Sequence, residues 1–228
     1  MLDQLKRTVF EANLRLVKEG LVIDTWGNVS GIDRPTGMVV IKPSGVRYET
    51  MRPEDMAVVS LPDGRHVEGL KPSSDTPTHL ELYRSFGQIG GVAHTHSTFA
   101  TVWAQARRDI PALGTTHADY FHGDIPCTRL MTPQEIAADY EANTGKVIAQ
   151  RFAGLEPMHV PAVLVAAHGP FTWGADADAA VQNAVILEHL AHMAWQTLGI
   201  NAAAGSISRQ LLDKHFFRKH GPKAYYGQ

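Results

Sequence analysis

Hydrophobic residues recur at helical spacing at the start of the chain, at Leu2, Leu5, Val9 and Leu16, and Gly20 closes that segment. The pattern predicts an amphipathic first helix with a structural role. It then changes to short apolar runs bounded by turn residues. Val29 to Ile32 and Met38 to Ile41 flank Asp33-Arg34-Pro35-Thr36-Gly37, and Met56 to Ser60 and His66 to Glu68 flank Pro62-Asp63-Gly64. These read as two hairpins. Beyond them helices and strands alternate. Thr76-Pro77 predicts a cap followed by proline at the first helical position, with the helix running to about Phe86. Ile89 to His96 reads as a buried strand, and Ser97 can cap a helix that ends before Pro111. Thr132-Pro133-Gln134-Glu135 fits a capping box that opens a helix to about Phe152. Val163 to Ala167 is a fully apolar strand, Asp176 or Asp178 starts a long helix through about Leu198, and the rest reads as a polar, aromatic tail. Early hairpins followed by alternating elements predict an α/β chain: a sheet with helices on its faces and a substantial antiparallel share.

Composition narrows the function classes. The 228 residues contain no linker, so 1–228 reads as one domain. A hydrophobic fraction of 44% with 19% charged residues excludes wholesale disorder. The net charge of −2 makes no demand for nucleic acid or an anionic membrane, and no stretch approaches the roughly 18 apolar residues of a membrane span. The single cysteine, Cys127, excludes an intramolecular disulfide, and a reducing cytoplasm is the expected compartment. Met1 to Arg7 carry charge where a signal peptide needs an apolar run.

The 12 histidines matter by position. His94-Thr95-His96 closes a predicted strand, where residues two apart project from one face. Two imidazoles are thereby brought within reach of one metal ion. His168 leaves another apolar strand, and neighbouring strands can bring it to the first pair. Asp75 at a helix mouth could add an oxygen ligand or could cap the helix. Three histidines and a carboxylate suit zinc or another first-row divalent ion. Three loops combine small hydroxyl or amide side chains with glycine or a helix start: Thr25-Trp26-Gly27-Asn28, Lys42-Pro43-Ser44-Gly45 and Lys71-Pro72-Ser73-Ser74-Asp75. Such loops let backbone N–H groups approach a phosphate. Asp119, in Thr115-Thr116-His117-Ala118-Asp119-Tyr120, is a candidate general acid/base; taken alone it equally reads as a solvated loop residue. His189 and His192, beside Glu188, read as surface or interface residues. The basic, aromatic tail from Leu211 to Gln228 reads as a solvated terminus with weak RNA affinity as the other option.

Together, the strings TWGNVS, IKPSGV, KPSSDTPTH, HTHS, GTTHADYF, IPCTR, HGPF and the C-terminal LLDKH, RKHG and KAYYGQ resemble the class II (metal-dependent) sugar-phosphate aldolase/epimerase family, from about residue 25 to the end. The resemblance implies a three-layer α/β/α sandwich around a mainly antiparallel sheet, with a divalent metal, Zn2+ first and Mn2+ or Co2+ as options. The metal ligands would be Asp75, His94, His96 and His168. Asp75 and the tail string favour the epimerase branch, since related aldolases are expected to carry a catalytic glutamate where this chain has Asp75. The implied reaction interconverts L-ribulose 5-phosphate and D-xylulose 5-phosphate in pentose (L-arabinose or L-ascorbate) catabolism. Asp119 and Tyr226 would act as the proton carriers, contributed to the metal site by a neighbouring subunit of a cytoplasmic homotetramer. Gly27, Asn28, Lys42, Ser44, Gly45, Ser73 and Ser74 would bind substrate, with Thr116, Glu141 and His215 as further binding or orienting candidates. No nucleic-acid or membrane partner is implied. The alternative is an aldolase of the fuculose- or rhamnulose-phosphate type that releases its fragments. A zinc-stabilised binding module without catalysis is the reading from another class.

Overall fold

The first predicted hairpin forms the centre of the sheet. In the computed structural model, which describes residues 2–222 and 224–226, β1 (Gly27–Asp33) pairs antiparallel with β2 (Met38–Ile41), Ser30 opposite Ile41. The second hairpin adds β3 (Ala57–Ser60) and β4 (His66–Glu68) on one side. On the other side β5 (Gly91–Thr95), β6 (Ala162–Leu164) and β7 (Pro170–Gly174) complete the order β4-β3-β2-β1-β5-β7-β6. All six strand pairings are antiparallel.

Strand alternation sends side chains to two apolar clusters. Val39, Ile41, Val59 and Val92 join one cluster, with Leu82 and Tyr83 of α2 (Thr76–Ser85) and Trp103 of α3 (Thr98–Ala106). Val29, Val40, Val58 and Ala93 join the other, with Val9, Ala12 and Leu16 of α1 (Leu2–Lys18). The sheet is thus covered by helices on both faces, as predicted. The long helix Ala177–Ile200, numbered α7 below, supplies Ala180, Val181 and Ala184 to the second cluster and Leu187, Leu190 and Ala191 to the first.

Four local expectations need correction. The helix expected from Thr132 to Phe152 is two helices. The capping box is present, with Thr132 Oγ1 accepting the Glu135 N–H and the Glu135 carboxylate accepting the Thr132 N–H, but the short α5 (Pro133–Ala137) stops at Ala138. Asp139 then caps α6 (Tyr140–Arg151) by accepting the Ala142 N–H. The apolar run expected to reach Ala167 ends at Leu164, because Ala167 takes a left-handed conformation (φ 62°) and turns the chain into β7, which the sequence pattern did not separate. Thr76 is the first residue of α2, with Asp75 in the cap position. The expected loose tail contains α8 (Arg209–Lys219), capped by Ser208 and packed through Leu212 and Phe216. It lies against the short α4 (Thr115–Ala118). Lys223, Gly227 and Gln228 of the C-terminal string lie outside the described residues. Among the described residues, no helix is long and apolar enough to cross a membrane.

Candidate metal centre and active-site cleft

The end of β5 builds the centre. His94 stands opposite Asn28 of β1 and Phe171 of β7. Its ring stacks on Phe171 with centroids 4.1 Å apart, and its Nδ1 lies 2.9 Å from the Pro170 carbonyl oxygen. A carbonyl only accepts, so Nδ1 carries the proton and Nε2 is left as the ligand atom. His96 is exposed at the strand's exit, and His168 enters from the β6–β7 turn, where the strained Ala167 precedes it. The ring centroids are 4.9 Å (His94–His96), 4.8 Å (His94–His168) and 5.1 Å (His96–His168) apart. One nitrogen from each ring falls within 4.8 Å of the others. Burial lowers the pKa of all three, that of His168 to about 4, helped there by the charges of His94 and His96 and opposed by Asp75. Neutral imidazoles converging on one point are the donor set a divalent cation needs, so these residues fit the metal the sequence implies.

Asp75 does not cap α2 through its side chain. Its Oδ2 instead accepts a 2.6 Å hydrogen bond from the Asn28 amide, beside the histidines. Burial raises the Asp75 pKa, and the charges of His94, His79 and His168 with the Asn28 bond outweigh it, leaving the carboxyl below its ordinary value. The compact group comprises the three histidines, with Asp75 next to it in the same cleft.

The cleft has a volume of about 560 Å3. Its lining includes Gly27, Asn28, Lys42, Ser44, Gly45, Ser73 and Ser74 together with Asp75, His94, His96 and His168. A Cβ at Gly27 would lie 2.6 Å from Val22 Cγ1, and its φ of 131° disfavours any other residue, so the close approach to the cleft wall depends on glycine. The two serine loops are tied together: the Ser44 N–H donates to the Lys71 carbonyl at 2.8 Å and the Ser73 N–H to the Lys42 carbonyl at 3.1 Å. Those two N–H groups are therefore engaged within the protein, contrary to the expectation that they meet a phosphate, whereas the Ser44 and Ser74 residues are exposed at the rim. Lys42 donates to the Val46 carbonyl at 2.8 Å and lies over the Tyr48 ring, bracing the loop from beneath. Burial lowers its pKa, opposed by the charge of Asp24. The buried Asn28 Oδ1 has no hydrogen-bond partner among the described residues and is left free as an acceptor.

A second polar cluster forms around Asp119. Its carboxylate meets His215 Nδ1 at 3.0 Å, the Arg218 guanidinium at 2.9 and 3.0 Å and Lys219 Nζ at 3.3 Å. Burial raises its pKa, but the His215 and Arg218 hydrogen bonds and the Lys219 charge prevail and hold it below the ordinary value. Asp119 is thus not the solvated loop residue that it resembles in isolation. Tyr226 lies over the Arg218 guanidinium, 4.4 Å from ring centroid to Cζ, and is 50% exposed. Thr116 lines a separate small hollow against α7, and the Glu141 carbonyl accepts from Thr78 Oγ1. Among the described residues, none of Thr116, Asp119, Glu141, His215 and Tyr226 lines the histidine cleft of its own chain.

Residues 7–195 match the class II aldolase and adducin N-terminal domain. The chain belongs to this family. It is 59% identical over 228 residues, covering 100% of both chains, to the L-ribulose-5-phosphate 4-epimerase UlaF of Salmonella paratyphi B (strain ATCC BAA-1250 / SPB7). It is equally similar to the protein of that name from Salmonella typhi, again 59% identical over 100% of both chains. Among solved structures, an L-fuculose 1-phosphate aldolase superposes with a TM-score of 0.79 at 24% identity, over 94% of this chain and 95% of that one. A sugar-phosphate aldolase from Thermotoga maritima gives 0.67 at 19% identity, over 87% and 96%. The structural matches establish the class II aldolase fold.

Within this family fold, four site-adjacent residues escape sequence reasoning. His79 is fully buried behind Asp75, its Nδ1 2.7 Å from Ser30 Oγ, which is 2.8 Å from Tyr83 Oη. Burial lowers its pKa to about 3, with Asp75 opposing. Its place one helical turn after Asp75 was a usable signal. Tyr140 brings its hydroxyl to 3.4 Å from His168 Nδ1. Glu188 and Arg218 act across long sequence separations and left no local trace.

Proposed function

We propose that the protein is an L-ribulose-5-phosphate 4-epimerase, interconverting L-ribulose 5-phosphate and D-xylulose 5-phosphate. The observation that carries this reading is full-length 59% identity to relatives of that name. The three converging histidines in a polar cleft support it. The ketone at C2 does not acidify the C4 proton, so inversion at C4 needs retro-aldol cleavage of C3–C4. That step yields the enediolate of dihydroxyacetone and glycolaldehyde phosphate. The aldehyde rotates, presents its other face, and the bond re-forms.

The residues divide this work. His94, His96 and His168, with Asp75 at their side, would hold a divalent cation, zinc by donor type. When bound, such a cation supplies Lewis-acid charge for the enediolate fragment. Asn28, Lys42 and the Gly27, Ser44, Gly45, Ser73 and Ser74 surfaces grip the phosphate end and so keep the glycolaldehyde phosphate fragment in place, with the rim hydroxyls as donors to the phosphate and the free Asn28 Oδ1 as an acceptor for a sugar hydroxyl. Asp119, ionised, accepts the proton of the C4 hydroxyl on one face, and the Tyr226 hydroxyl serves the other, the two exchanging roles in the reverse direction. His215 orients Asp119 through its 3.0 Å contact, and Thr116 and Glu141 are further binding or orienting candidates. Since Asp119 and Tyr226 sit away from their own chain's cleft, we infer a homotetramer in which each cleft is completed by a neighbour. Residues 1–228 act as one catalytic domain built on the single sheet. The lone buried Cys127 fits a reducing cytoplasm.

Product analysis with L-ribulose 5-phosphate, with and without a chelator, tests the reading. D-xylulose 5-phosphate that disappears on chelation is expected. Release of free dihydroxyacetone and glycolaldehyde phosphate would instead make the protein an aldolase, and no conversion by metal-loaded protein would reject both.

A further inference from the structure

We propose that Arg218 is a positioning residue that joins Asp119 and Tyr226 into one unit. The proposal deepens the functional reading above and rests on it for the role of those two residues. Arg218 reaches both partners by different parts of itself. Its guanidinium Nη2 is 2.9 Å from Asp119 Oδ1 and 3.0 Å from Oδ2, and its Nε is 3.2 Å from Oδ1. The same planar group carries the Tyr226 ring on its face, 4.4 Å away. Its backbone carbonyl accepts the N–H groups of Tyr225 at 2.8 Å and Tyr226 at 3.0 Å. One residue therefore grips the carboxylate by its edge, the phenol by its face and the tail backbone by its carbonyl.

Among the described residues, no neighbour duplicates this. Lys219 also approaches Asp119, and its Nζ is 5.4 Å from the Tyr226 ring, but an ammonium is a point charge without a flat face. His215 bonds only the Asp119 carboxylate, and His220 Nε2 only the Asp119 backbone oxygen. Tyr226 is half-exposed at a bend in the segment after α8. Without the guanidinium face, its ring loses the surface that sets its distance from Asp119.

The test compares R218K and R218M with the unaltered enzyme for D-xylulose 5-phosphate formation, metal content and circular dichroism. Both variants should retain metal and fold. Turnover should fall by roughly tenfold in R218K and ~100-fold in R218M, the range for a misplaced proton carrier. In R218M the acidic limb of the kcat profile should move to higher pH, because Asp119 loses a cation that favours its charged form while His215 and Lys219 remain. In a double-variant cycle, R218M should add little to Y226F, since the two act as a unit. Wild-type turnover and pH profile in R218M, or a double variant whose loss is the product of the single losses, would overturn the proposal. If R218M fails to fold, the turnover and double-variant criteria apply to R218K, which keeps the charge but not the flat guanidinium face. Absence of conversion by the unaltered enzyme would overturn the functional reading and this proposal together, whereas an active parent with unaffected variants would overturn this proposal alone.

Discussion

Glu188 caps the helix that begins beside Phe99: its Oε1 accepts the Phe99 N–H at 2.8 Å, and its Oε2 accepts the Ala100 N–H at 2.9 Å. Ser97, in the cap position itself, makes no side-chain cap bond. A carboxylate on α7 thus satisfies the first turn of α3, which follows His96 directly. Glu188→Ala should cost about 1–2 kcal/mol of stability, as lost caps do, and should weaken metal binding by loosening the exit of His96. Urea unfolding of the metal-free protein measures the first effect. An unchanged midpoint would mean that water serves these N–H groups equally well.

His96→Asn removes one of three converging nitrogens. Metal content and epimerisation should fall together, because the donor that holds the cation also places its charge. Elemental analysis alongside the product analysis decides it. A variant that keeps both would show that His96 is not a ligand.

Tyr226→Phe removes one oxygen from an exposed ring and leaves its stacking on Arg218 in place. Metal content should be unchanged, with turnover reduced by ~100-fold or more. Near-normal turnover would make the tail structural.

Protonation of the buried histidines should govern acid stability. Burial lowers the pKa of His79 to about 3 and of His168 to about 4, from an ordinary 6.5. Between those values and about 6.5 the unfolded chain binds more protons than the native one, so stability falls as pH drops through that window. Asp119 acts lower down: its native pKa lies below its ordinary value, so its contribution is complete above about 4 and lost only as pH falls further. Denaturant unfolding of metal-free protein at pH 7 and pH 5 should show the weaker fold at pH 5. Equal stability would place these histidines in wetter surroundings than the fold indicates.

The parts of the site that are legible in the sequence are those fixed by local geometry. Side chains two apart on a strand share a face wherever the strand lies, so His94 and His96 announce themselves, and Pro-Ser and Gly-Asn loops mark the cleft rim for the same reason. The hidden parts depend on contacts between distant segments. Glu188 lies 89 residues from Phe99, and Arg218 lies 99 from Asp119. The α8 helix escapes because only Leu212 and Phe216 of its apolar residues are buried, too thin a stripe to stand out among charged neighbours. The run after Val163 misleads because an alanine, not a glycine, takes the left-handed turn at residue 167.

Arg218 ties Asp119 and Tyr226 together on one chain, outside the cleft of that chain's own histidines, so if these two are the proton carriers proposed above, each polypeptide carries its acid–base half as a single cassette. Two dead variants with lesions in different halves should therefore rescue each other. In a random equimolar mixture of His96→Asn and Tyr226→Phe subunits, about one site in four would draw an intact half from each parent. Activity regained on co-refolding, from parents inactive alone, would make this a genetically complementing enzyme, whose working unit is the seam between chains.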